Sequence, residues 1–185
     1  TVDDLTRLYV RRYFDRRLKD EVARSRRYGT RFALVLIDFD GFKEINDTYG
    51  HGTGDRVLKM VADLLHKEVR SLDIPARVGG DEFAVILPEV GWEGALLLAE
   101  RFRARLRDSS VEADGRQIRQ TVSMGIASCP DHAAGSEADL LKAADDALYQ
   151  AKQAGRDQVQ VARIDGVEAE EFPGAAVHFR GPDPR

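Results

Sequence analysis

Residues 76–87 read ARVGGDEFAVIL, in which two apolar, strand-like runs flank Gly79-Gly80-Asp81-Glu82. Glycines and acids between two such runs are typical of a β-hairpin turn, which pairs its strands antiparallel. Residues 32–37 form another apolar run that ends in Asp38-Phe39-Asp40, as expected for a strand buried on both faces. The two segments therefore predict one sheet in which a strand end and a hairpin tip both carry carboxylates.

Apolar periodicity predicts the remaining elements around this sheet. Helices are expected at 10–28, 41–49, 57–65, 92–106 and 136–154, a loop at 50–54, two strand runs within 111–128 around Asp114-Gly115, and a last strand at 159–161. The order is α β α α β β α β β α β. It predicts an α/β fold of the α+β type, with a mixed, mainly antiparallel central sheet flanked by helices.

One folded body is expected over residues 1–162. From Arg163 on, the periodicity ends, and Gly166, Pro173, Gly174 and Pro182 would interrupt any element that began there. This composition predicts a flexible tail over residues 163–185.

Composition narrows the class of protein. With 185 residues, of which 43% are hydrophobic and 32% charged, the chain can bury a core without disulfides. Cys129 is the single cysteine, and no Cys/His cluster has zinc spacing, so a reducing compartment is expected. No apolar run is long enough to span a membrane, which predicts no membrane contact from this segment.

Charge argues against a nucleic-acid partner. The formal net charge is −4, so there is no overall basic field to attract a phosphate backbone. Residues 11–27 are rich in arginine but are interleaved with Asp15, Asp20 and Glu21, which favours the solvated face of a helix. Any phosphate ligand must therefore be bound locally.

The two acidic segments, Asp38-Phe39-Asp40 and Asp81-Glu82, have two interpretations. Magnesium needs oxygen ligands and is often held by one or two carboxylates together with a nucleotide's phosphates. Acids also commonly end strands and occupy turns without binding anything. Spacing alone leaves both interpretations open.

Residues 77–83, RVGGDEF, contain the five-residue signature of the GGDEF family, the diguanylate cyclases, and the chain resembles that family in other segments as well. These are DLT at 4–6, RR at 11–12, a D-x-D-x-F-K-x-x-N-D-x-x-G-H-x-x-G-D pattern at 38–55, VSMGIA at 122–127, and several short matches between 144 and 156. The resemblance covers nearly everything before the tail. It implies the fold shared by nucleotidyl cyclases and the polymerase palm.

The resemblance implies an enzyme of bacterial second-messenger signalling that condenses two GTP into cyclic di-GMP and releases two pyrophosphates. Asp38, Asp81 and Glu82 are the implied catalytic residues. Asp38, Asp81 and the carbonyl of Phe39 would bind Mg²⁺, with Mn²⁺ as an alternative, while Glu82 supports the site and Asp81 is also a candidate proton acceptor. Metal ions suit the reaction because they neutralise charge that develops on the phosphate.

The implied substrate-binding residues are spread along the chain. By resemblance, Asn46 and Asp55 read the guanine edge, whose N1 and N2 protons adenine lacks, so GTP is preferred over ATP. The phosphates would be bound by Phe42, Lys43, Gly79, Gly80, Lys152 and Arg156. The spacing of Lys152 and Arg156 predicts that both lie on one helix face. Asp157 stands where the family usually has Asn, a position that we interpret as peripheral.

Arg70-Ser71-Leu72-Asp73 has the spacing of the family's R-x-x-D site, at which cyclic di-GMP inhibits the enzyme. Arg101 is expected to assist from the next helix, because guanidinium groups bind guanine edges and phosphates bidentately. Without the resemblance, Arg and Asp three positions apart are most often a surface pair. The resemblance therefore implies product inhibition through Arg70, Asp73 and Arg101.

Family resemblance also implies partners. Two GTP-bound copies must face each other, so a homodimer is expected for catalysis. A preceding sensory or membrane region is expected, which places the domain in the cytoplasm or on the cytoplasmic face of a membrane. Val10 and Val78 depart from the family pattern but carry none of the chemistry. The alternative is a catalytically weak module that senses GTP or cyclic di-GMP.

Overall fold

The computed structural model describes residues 1–132 and 136–163 and the backbone of residues 176–177. One sheet contains, in spatial order, β1 (Tyr9–Val10), β3 (Ile74–Arg77), β4 (Glu82–Pro88), β2 (Phe32–Phe39), β7 (Val122–Cys129), β8 (Val159–Val161) and β9 (Ala176–Val177). The three pairings around the centre, β3 with β4, β4 with β2 and β2 with β7, are antiparallel, and the outer pairings are parallel. The mixed, mainly antiparallel sheet is confirmed.

Helices cover both faces of this sheet in the described part of the chain. They are α1 (Arg11–Tyr28), α2 (Phe42–Tyr49), α3 (His51–Glu68), α4 (Trp92–Arg107) and α5 (Glu137–Gln153). None of the helices within the described residues is long and apolar enough to cross a membrane.

Strand β2 distributes its side chains between two core layers, because neighbouring residues of a strand point to opposite faces. Val35 and Ile37 pack with residues of α3 and α4, whereas Phe32 and Leu34 pack with residues of α1 and α5. These side chains are almost fully buried, and burial of each contributes about 1.5–3 kcal/mol to folding. The apolar run therefore fixes β2 as the central strand.

Helix α5 lies very close to β7 because Gly125 has no side chain. A Cβ atom at Gly125 would overlap the carbonyl oxygen of Ala144 and would stand 2.8 Å from the Cβ of Leu148. The helix begins as the sequence predicts, since the Ser136 hydroxyl accepts from the main-chain N–H of Asp139 at 3.0 Å. This packing sets the position of the end of α5, which carries Lys152.

The structure differs from the prediction in the start of α3 and in the number of strands between α4 and α5. The predicted loop at 50–54 is mostly the first turn of α3, because Gly50, with φ of 85°, already separates the two helices and His51 begins the next one. The region 111–128 contains three strands rather than two. Strands β5 (Val111–Ala113) and β6 (Arg116–Ile118) form a separate hairpin around Asp114-Gly115, and β7 follows it.

The N-terminal and C-terminal segments add short strands. Val10, predicted as the first apolar residue of a helix, lies in β1, and α1 begins at Arg11. The predicted flexible tail, residues 163–185, lies mostly outside the described residues, so it stays a prediction. Within it, the backbone of Ala176–Val177 pairs parallel with β8.

Candidate active site

Strand β2 and the β3–β4 hairpin bring the expected metal-binding groups to one end of the sheet. Asp38 is the register partner of Glu82, and the main-chain N–H of Phe39 donates to the carbonyl of Asp81 at 3.2 Å. Asp38 and Asp81 are half-buried, whereas the side chain of Glu82 is exposed. Asp38, Phe39 and Asp81 are therefore neighbours, as the two strand patterns predict.

Negative charge accumulates around Asp38. Burial raises the pKa of Asp38 above its ordinary value, and the charges of Asp81 and Asp40 raise it further. Lys152, from the end of α5, opposes this increase by donating from Nζ to Asp38 Oδ2 at 2.6 Å. The site thus contains three nearby carboxylates and a lysine that pairs directly with one of them.

The donor atoms at this site fit a hard divalent cation. Across residues 1–132 and 136–163, no three or more His, Cys, Asp or Glu side chains are grouped so that they could hold a metal ion. The expected ligands of a cation are the carboxylates of Asp38 and Asp81 and the carbonyl of Phe39, with phosphate or water oxygens completing its shell. Mg²⁺ is usually bound in this way, and a cation would stabilise the charged form of Asp38, whose pKa is raised by burial and then by the charges of Asp81 and Asp40.

Asp81, one of these carboxylates, lines an open cleft of about 360 Å³. The cleft is lined by Phe42, Lys43, Asn46, His51, Asp55, Leu58, Arg77, Gly80 and Asp81. Helices α2 and α3 supply the wall that carries Asn46 and Asp55, and the hairpin supplies Asp81. The structure therefore brings both expected guanine-reading residues into one cleft with Asp81, one of the expected metal ligands.

Asn46 owes its position to a glycine on the next helix. A Cβ atom at Gly54 would overlap Asn46 Oδ1, and it would stand 2.9 Å from Asn46 Cγ and 3.2 Å from Phe42 Cζ. Asn46 Oδ1 is buried and has no hydrogen-bond partner within the described part of the chain. Buried acceptors are rarely left without a donor, so Asn46 Oδ1 is a candidate acceptor for a water or for a ligand that enters beside it.

At the hairpin tip, Gly79 and Gly80 matter because they have no side chain, not because they are conformationally free. Neither Gly79 nor Gly80 has a positive φ, so the turn does not need glycine's conformational freedom. A Cβ atom at Gly79 would collide with the Glu82 side chain, standing 3.0 Å from its Cδ. A Cβ atom at Gly80 would have no neighbour within 4 Å, so this residue leaves the outer surface of the turn open.

Arg77 fixes the hairpin tip to the N-terminal segment. Its guanidinium donates to the carbonyl of Gly80 at 2.8 Å and to both carboxylate oxygens of Asp3 at 3.2 and 3.3 Å. Burial opposes ionisation of Asp3, but hydrogen bonds from Thr6 and the charge of Arg77 lower its pKa overall. Sequence reasoning missed this connection, because 74 positions separate Asp3 from Arg77 and no local pattern links them.

Asp40 has a different role from Asp38, although both belong to the same short motif. Its carboxylate accepts from the hydroxyls of Ser123 at 2.7 Å and Thr121 at 2.8 Å and from the main-chain N–H of Asp157 at 3.0 Å. These three protein donors occupy both oxygens of the Asp40 carboxylate. Asp40 therefore joins the end of β2 to β7 and to the loop after α5.

Lys152 and Arg156, two of the expected phosphate-binding residues, do not share a helix face. Helix α5 ends at Gln153, and Arg156 lies in the following turn with φ of 64°. The prediction of a shared face is wrong, because the helix stops before Arg156. Lys152 contacts Asp38, whereas the exposed Lys43 lies at the cleft on α2.

The expected inhibitory residues form two separate clusters. Asp73 has a fully buried side chain and accepts from the main-chain N–H of Arg70 at 2.7 Å and from its guanidinium at 3.2 Å. Arg70 remains 57% exposed and lines a second cleft of about 320 Å³. Arg101 instead pairs with the buried carboxylate of Glu68, which also binds Arg105.

An antiparallel sheet centre with carboxylates at a strand end and a hairpin tip, beside a nucleotide-sized cleft, defines a nucleotidyl-cyclase-like domain with a palm-like fold. The chain belongs to the family described as diguanylate cyclase, GGDEF domain, whose model matches residues 1–158.

Known relatives agree with this membership. The chain is 40% identical over 161 residues to the diguanylate cyclase DosC of Escherichia coli, covering 86% of this chain and 35% of DosC. It is 43% identical over 159 residues to the response regulator PleD of Caulobacter vibrioides, covering 85% of this chain and 35% of PleD. The chain thus spans about a third of the length of these relatives.

Solved GGDEF domains have the same fold. The GGDEF domain of DgcB from Caulobacter crescentus, solved in complex with c-di-GMP, superposes with a TM-score of 0.83 at 33% identity, over 87% of this chain and 95% of that one. The GGDEF domain of TpbB, or YfiN, from Pseudomonas aeruginosa gives 0.82 at 37% identity, over 88% and 95%.

Proposed function

We propose that this chain catalyses the condensation of two GTP molecules into cyclic di-GMP with release of two pyrophosphates. Each 3′-hydroxyl oxygen forms a bond to the α-phosphorus of the other GTP, and the bond from that phosphorus to the pyrophosphate oxygen breaks. The hydroxyl proton passes to a base, for which Asp81 is the candidate. The observation that carries the proposal is the position of Asp81, a neighbour of Asp38, in the cleft that holds Asn46 and Asp55.

Asp38, Asp81 and the Phe39 carbonyl are the proposed ligands of Mg²⁺ or Mn²⁺. Bound there, the cation would supply Lewis-acid stabilisation of the charge that develops on the α-phosphate. Glu82 lies at the start of β4 against Gly79 and supports the conformation of the turn. Lys152 pairs with Asp38 in the structure, and we propose that it exchanges this carboxylate for the triphosphate when substrate binds.

Guanine recognition is assigned to the cleft. A guanine N–H is the donor that the buried Asn46 Oδ1 lacks, and the exposed carboxylate of Asp55 can accept from the N1 and N2 protons. Adenine offers no such pair of donors on that edge. The cleft should therefore discriminate against ATP, because ATP would leave these acceptors unpaired.

Phosphate binding is assigned to Lys43, Lys152 and Arg156, with Phe42 and the open turn at Gly79-Gly80 beside them. Lys43 lies in the first turn of α2, where free main-chain N–H groups also favour anions. At the hairpin tip, Gly80 leaves room for a phosphate to approach the main chain closely.

Product inhibition through Arg70 and Asp73 is supported by their geometry. Asp73 holds Arg70 by three hydrogen bonds while more than half of the Arg70 side chain stays exposed beside the second cleft. An exposed guanidinium with a fixed orientation can bind a guanine edge or a phosphate bidentately. Arg101 is the proposed third contact. It would bind product through the N–H groups of its guanidinium that Glu68 leaves free.

Catalysis is proposed to require a homodimer, because one cleft of this size accommodates one nucleotide and the reaction joins two. An isologous dimer would bring the two clefts face to face. We also propose that the chain acts as the catalytic part of a longer cytoplasmic protein, or of one at the cytoplasmic face of a membrane, since it spans only about a third of the length of these relatives. Because a dimer forms more completely at higher concentration, the specific activity should rise with protein concentration.

Pyrophosphate release and chromatographic detection of cyclic di-GMP, with GTP and Mg²⁺, test the proposal. We expect both products in a ratio of two pyrophosphates to one cyclic di-GMP, and neither after chelation of the metal. Binding of GTP without either product would instead identify a sensor module. The signature from Gly79 to Phe83 is complete, and for that reason the sensor alternative is not favoured.

A further inference from the structure

The turn that follows α5 has an unusual backbone. Arg156 and Asp157 are consecutive non-glycine residues with positive φ, at 64° and 44°. Side chains disfavour this left-handed region, although Asp tolerates it better than Arg does. Two such residues in succession persist only where the surrounding structure holds them, so the contacts of this turn reveal what it is for.

Asp157 attaches the turn to helix α4. Asp157 Oδ1 accepts from Arg103 Nη1 at 3.2 Å, and Asp157 Oδ2 accepts from Arg107 Nε at 3.3 Å and Nη2 at 3.2 Å. The main-chain carbonyl of Asp157 accepts from the same Arg103 Nη1 at 2.8 Å. The side chain of Arg103 is only 12% exposed, so its contacts are well shielded from solvent.

Asp157 also attaches the turn to the metal-binding strand end. Its main-chain N–H donates to Asp40 Oδ2 at 3.0 Å, and Asp40 is itself held by Ser123 and Thr121 of the β7 side. Asp40 lies two residues beyond Asp38 in the chain. Position 157 is therefore not peripheral, because it connects α4, the turn and the strand end that carries Asp38.

The charges in this cluster balance. Arg103 and Arg107 are matched by Asp157 and by Glu100, which accepts from Arg103 at 2.8 Å. A balanced cluster has no excess positive charge with which to attract a phosphate. Its contacts therefore orient the backbone of the turn rather than forming another anion site.

We propose that Asp157 is a positioning residue that holds Arg156 on the phosphate side of the active site, which rests on the phosphate-binding role proposed above. The Arg156 side chain is exposed, and its left-handed backbone is held on one side by its own N–H, which donates to the carbonyl of Ala151 at 3.0 Å, and on the other by the contacts of Asp157. Without the carboxylate, Arg107 loses its contacts with Asp157, and of its contacts with the turn Arg103 keeps only the hydrogen bond to the main-chain carbonyl of Asp157. Arg156 would then sample other conformations and bind the β- and γ-phosphates less tightly.

Binding of two nucleotides separates this role from a general structural one. The first is 3′-deoxy-GTP, which keeps the triphosphate but lacks the attacking hydroxyl, and the second is GMP, which lacks the β- and γ-phosphates. Calorimetry in Mg²⁺ should show that Asp157→Ala weakens binding of 3′-deoxy-GTP by about tenfold, the scale of a charged hydrogen bond, and changes binding of GMP by less than about twofold. Asp146→Ala, which removes an exposed carboxylate paired with Lys142 on α5, is the matched control and should change neither.

A double-mutant cycle tests whether Asp157 acts through Arg156. In an Arg156→Ala background, Asp157→Ala should weaken 3′-deoxy-GTP binding by less than about twofold further, because the residue that it positions is absent. Asp157→Gly tolerates the left-handed backbone but lacks the carboxylate, so it should show the same loss as Asp157→Ala. Asp157→Asn keeps an acceptor for Arg103 and should restore most of the affinity.

Several results would overturn the proposal. Losses that multiply in the double variant, an equal loss for GMP, or full affinity in Asp157→Gly would each show that Asp157 does not act through Arg156. If Asp157→Ala does not fold, Asp157→Gly replaces it in the comparison and Asp157→Asn is its control. A wild-type chain that binds neither 3′-deoxy-GTP nor GTP would instead refute the proposed function.

Discussion

Gly54→Ala should damage guanine recognition although position 54 does not line the cleft. The new Cβ would overlap Asn46 Oδ1 and stand 2.9 Å from Asn46 Cγ, so the Asn46 side chain must leave its present position. Alanine gains about 1 kcal/mol over glycine inside a helix, whereas overpacking of this kind costs about 1–3 kcal/mol. The net loss of folding stability should therefore be about 0–2 kcal/mol, and the protein should remain folded.

The effect on substrate should be larger than the effect on folding. Displacing Asn46 removes one of the two proposed contacts with guanine, and loss of such a hydrogen bond with a buried group left unpaired costs about 1–3 kcal/mol. We expect the KM for GTP to rise by about tenfold, since about 1.4 kcal/mol corresponds to that factor. Initial rates of pyrophosphate release against GTP concentration measure the KM, and thermal unfolding measures the stability.

Gly52→Ala is the matched control. Gly52 lies in the same first turn of α3, and a Cβ atom there would have no neighbour within 4 Å. This variant should be stabilised by up to about 1 kcal/mol and should keep the wild-type KM. A wild-type KM in Gly54→Ala, or equal changes in both variants, would refute the placement of Asn46 in the guanine site.

Three other perturbations have defined outcomes. Asp55→Ser should lower the preference for GTP over ATP by about tenfold or more in kcat/KM, because the lost carboxylate is the acceptor that adenine cannot satisfy; unchanged discrimination would contradict this role. Arg70→Ala should lose tight binding of cyclic di-GMP by calorimetry and give progress curves that slow less with time, while the initial rate stays close to wild type; product binding as tight as in the wild type would reduce the motif to a surface pair. Folding stability should fall as the pH drops below 6.5, because burial lowers the pKa of His132 and the unfolded chain then binds a proton that the folded chain excludes. The melting temperature of His132→Gln should therefore depend less on pH between 7.5 and 5.5 than that of the wild type. An unchanged dependence would exclude His132 as a cause.

The parts of the site that the sequence predicts are those carried by local patterns. Asp38 follows an apolar run, and Asp81 lies between two apolar runs joined by glycines. These local patterns alone predict that one carboxylate lies at a strand end and the other at a hairpin tip. Asn46 and Asp55 could be placed only through the family resemblance. Their meeting in one cleft depends on the packing of α2 against α3, which Gly54 permits.

The contacts that the sequence did not predict join distant positions. Lys152 and Asp38 are separated by 114 positions, and an ion pair of this kind has no periodicity by which it could be recognised. Asp40 could not be told from Asp38 by pattern, because its partners are hydroxyls and a main-chain N–H contributed by remote segments. The shared face expected for Lys152 and Arg156 fails for a related reason: α5 ends at Gln153, and contacts from α4 to Asp157 help to hold the left-handed turn in which Arg156 lies.

The central claim is that Asp81 and Asp38 support synthesis of cyclic di-GMP, and Asp81→Asn tests it most directly. The variant keeps the size of the side chain and the main-chain contact with Phe39 but removes the negative charge. With GTP and Mg²⁺, the wild-type chain should form cyclic di-GMP, and the variant should form it at least about a hundredfold more slowly while retaining its folded circular dichroism spectrum. Synthesis by the folded variant at the wild-type rate would contradict the account.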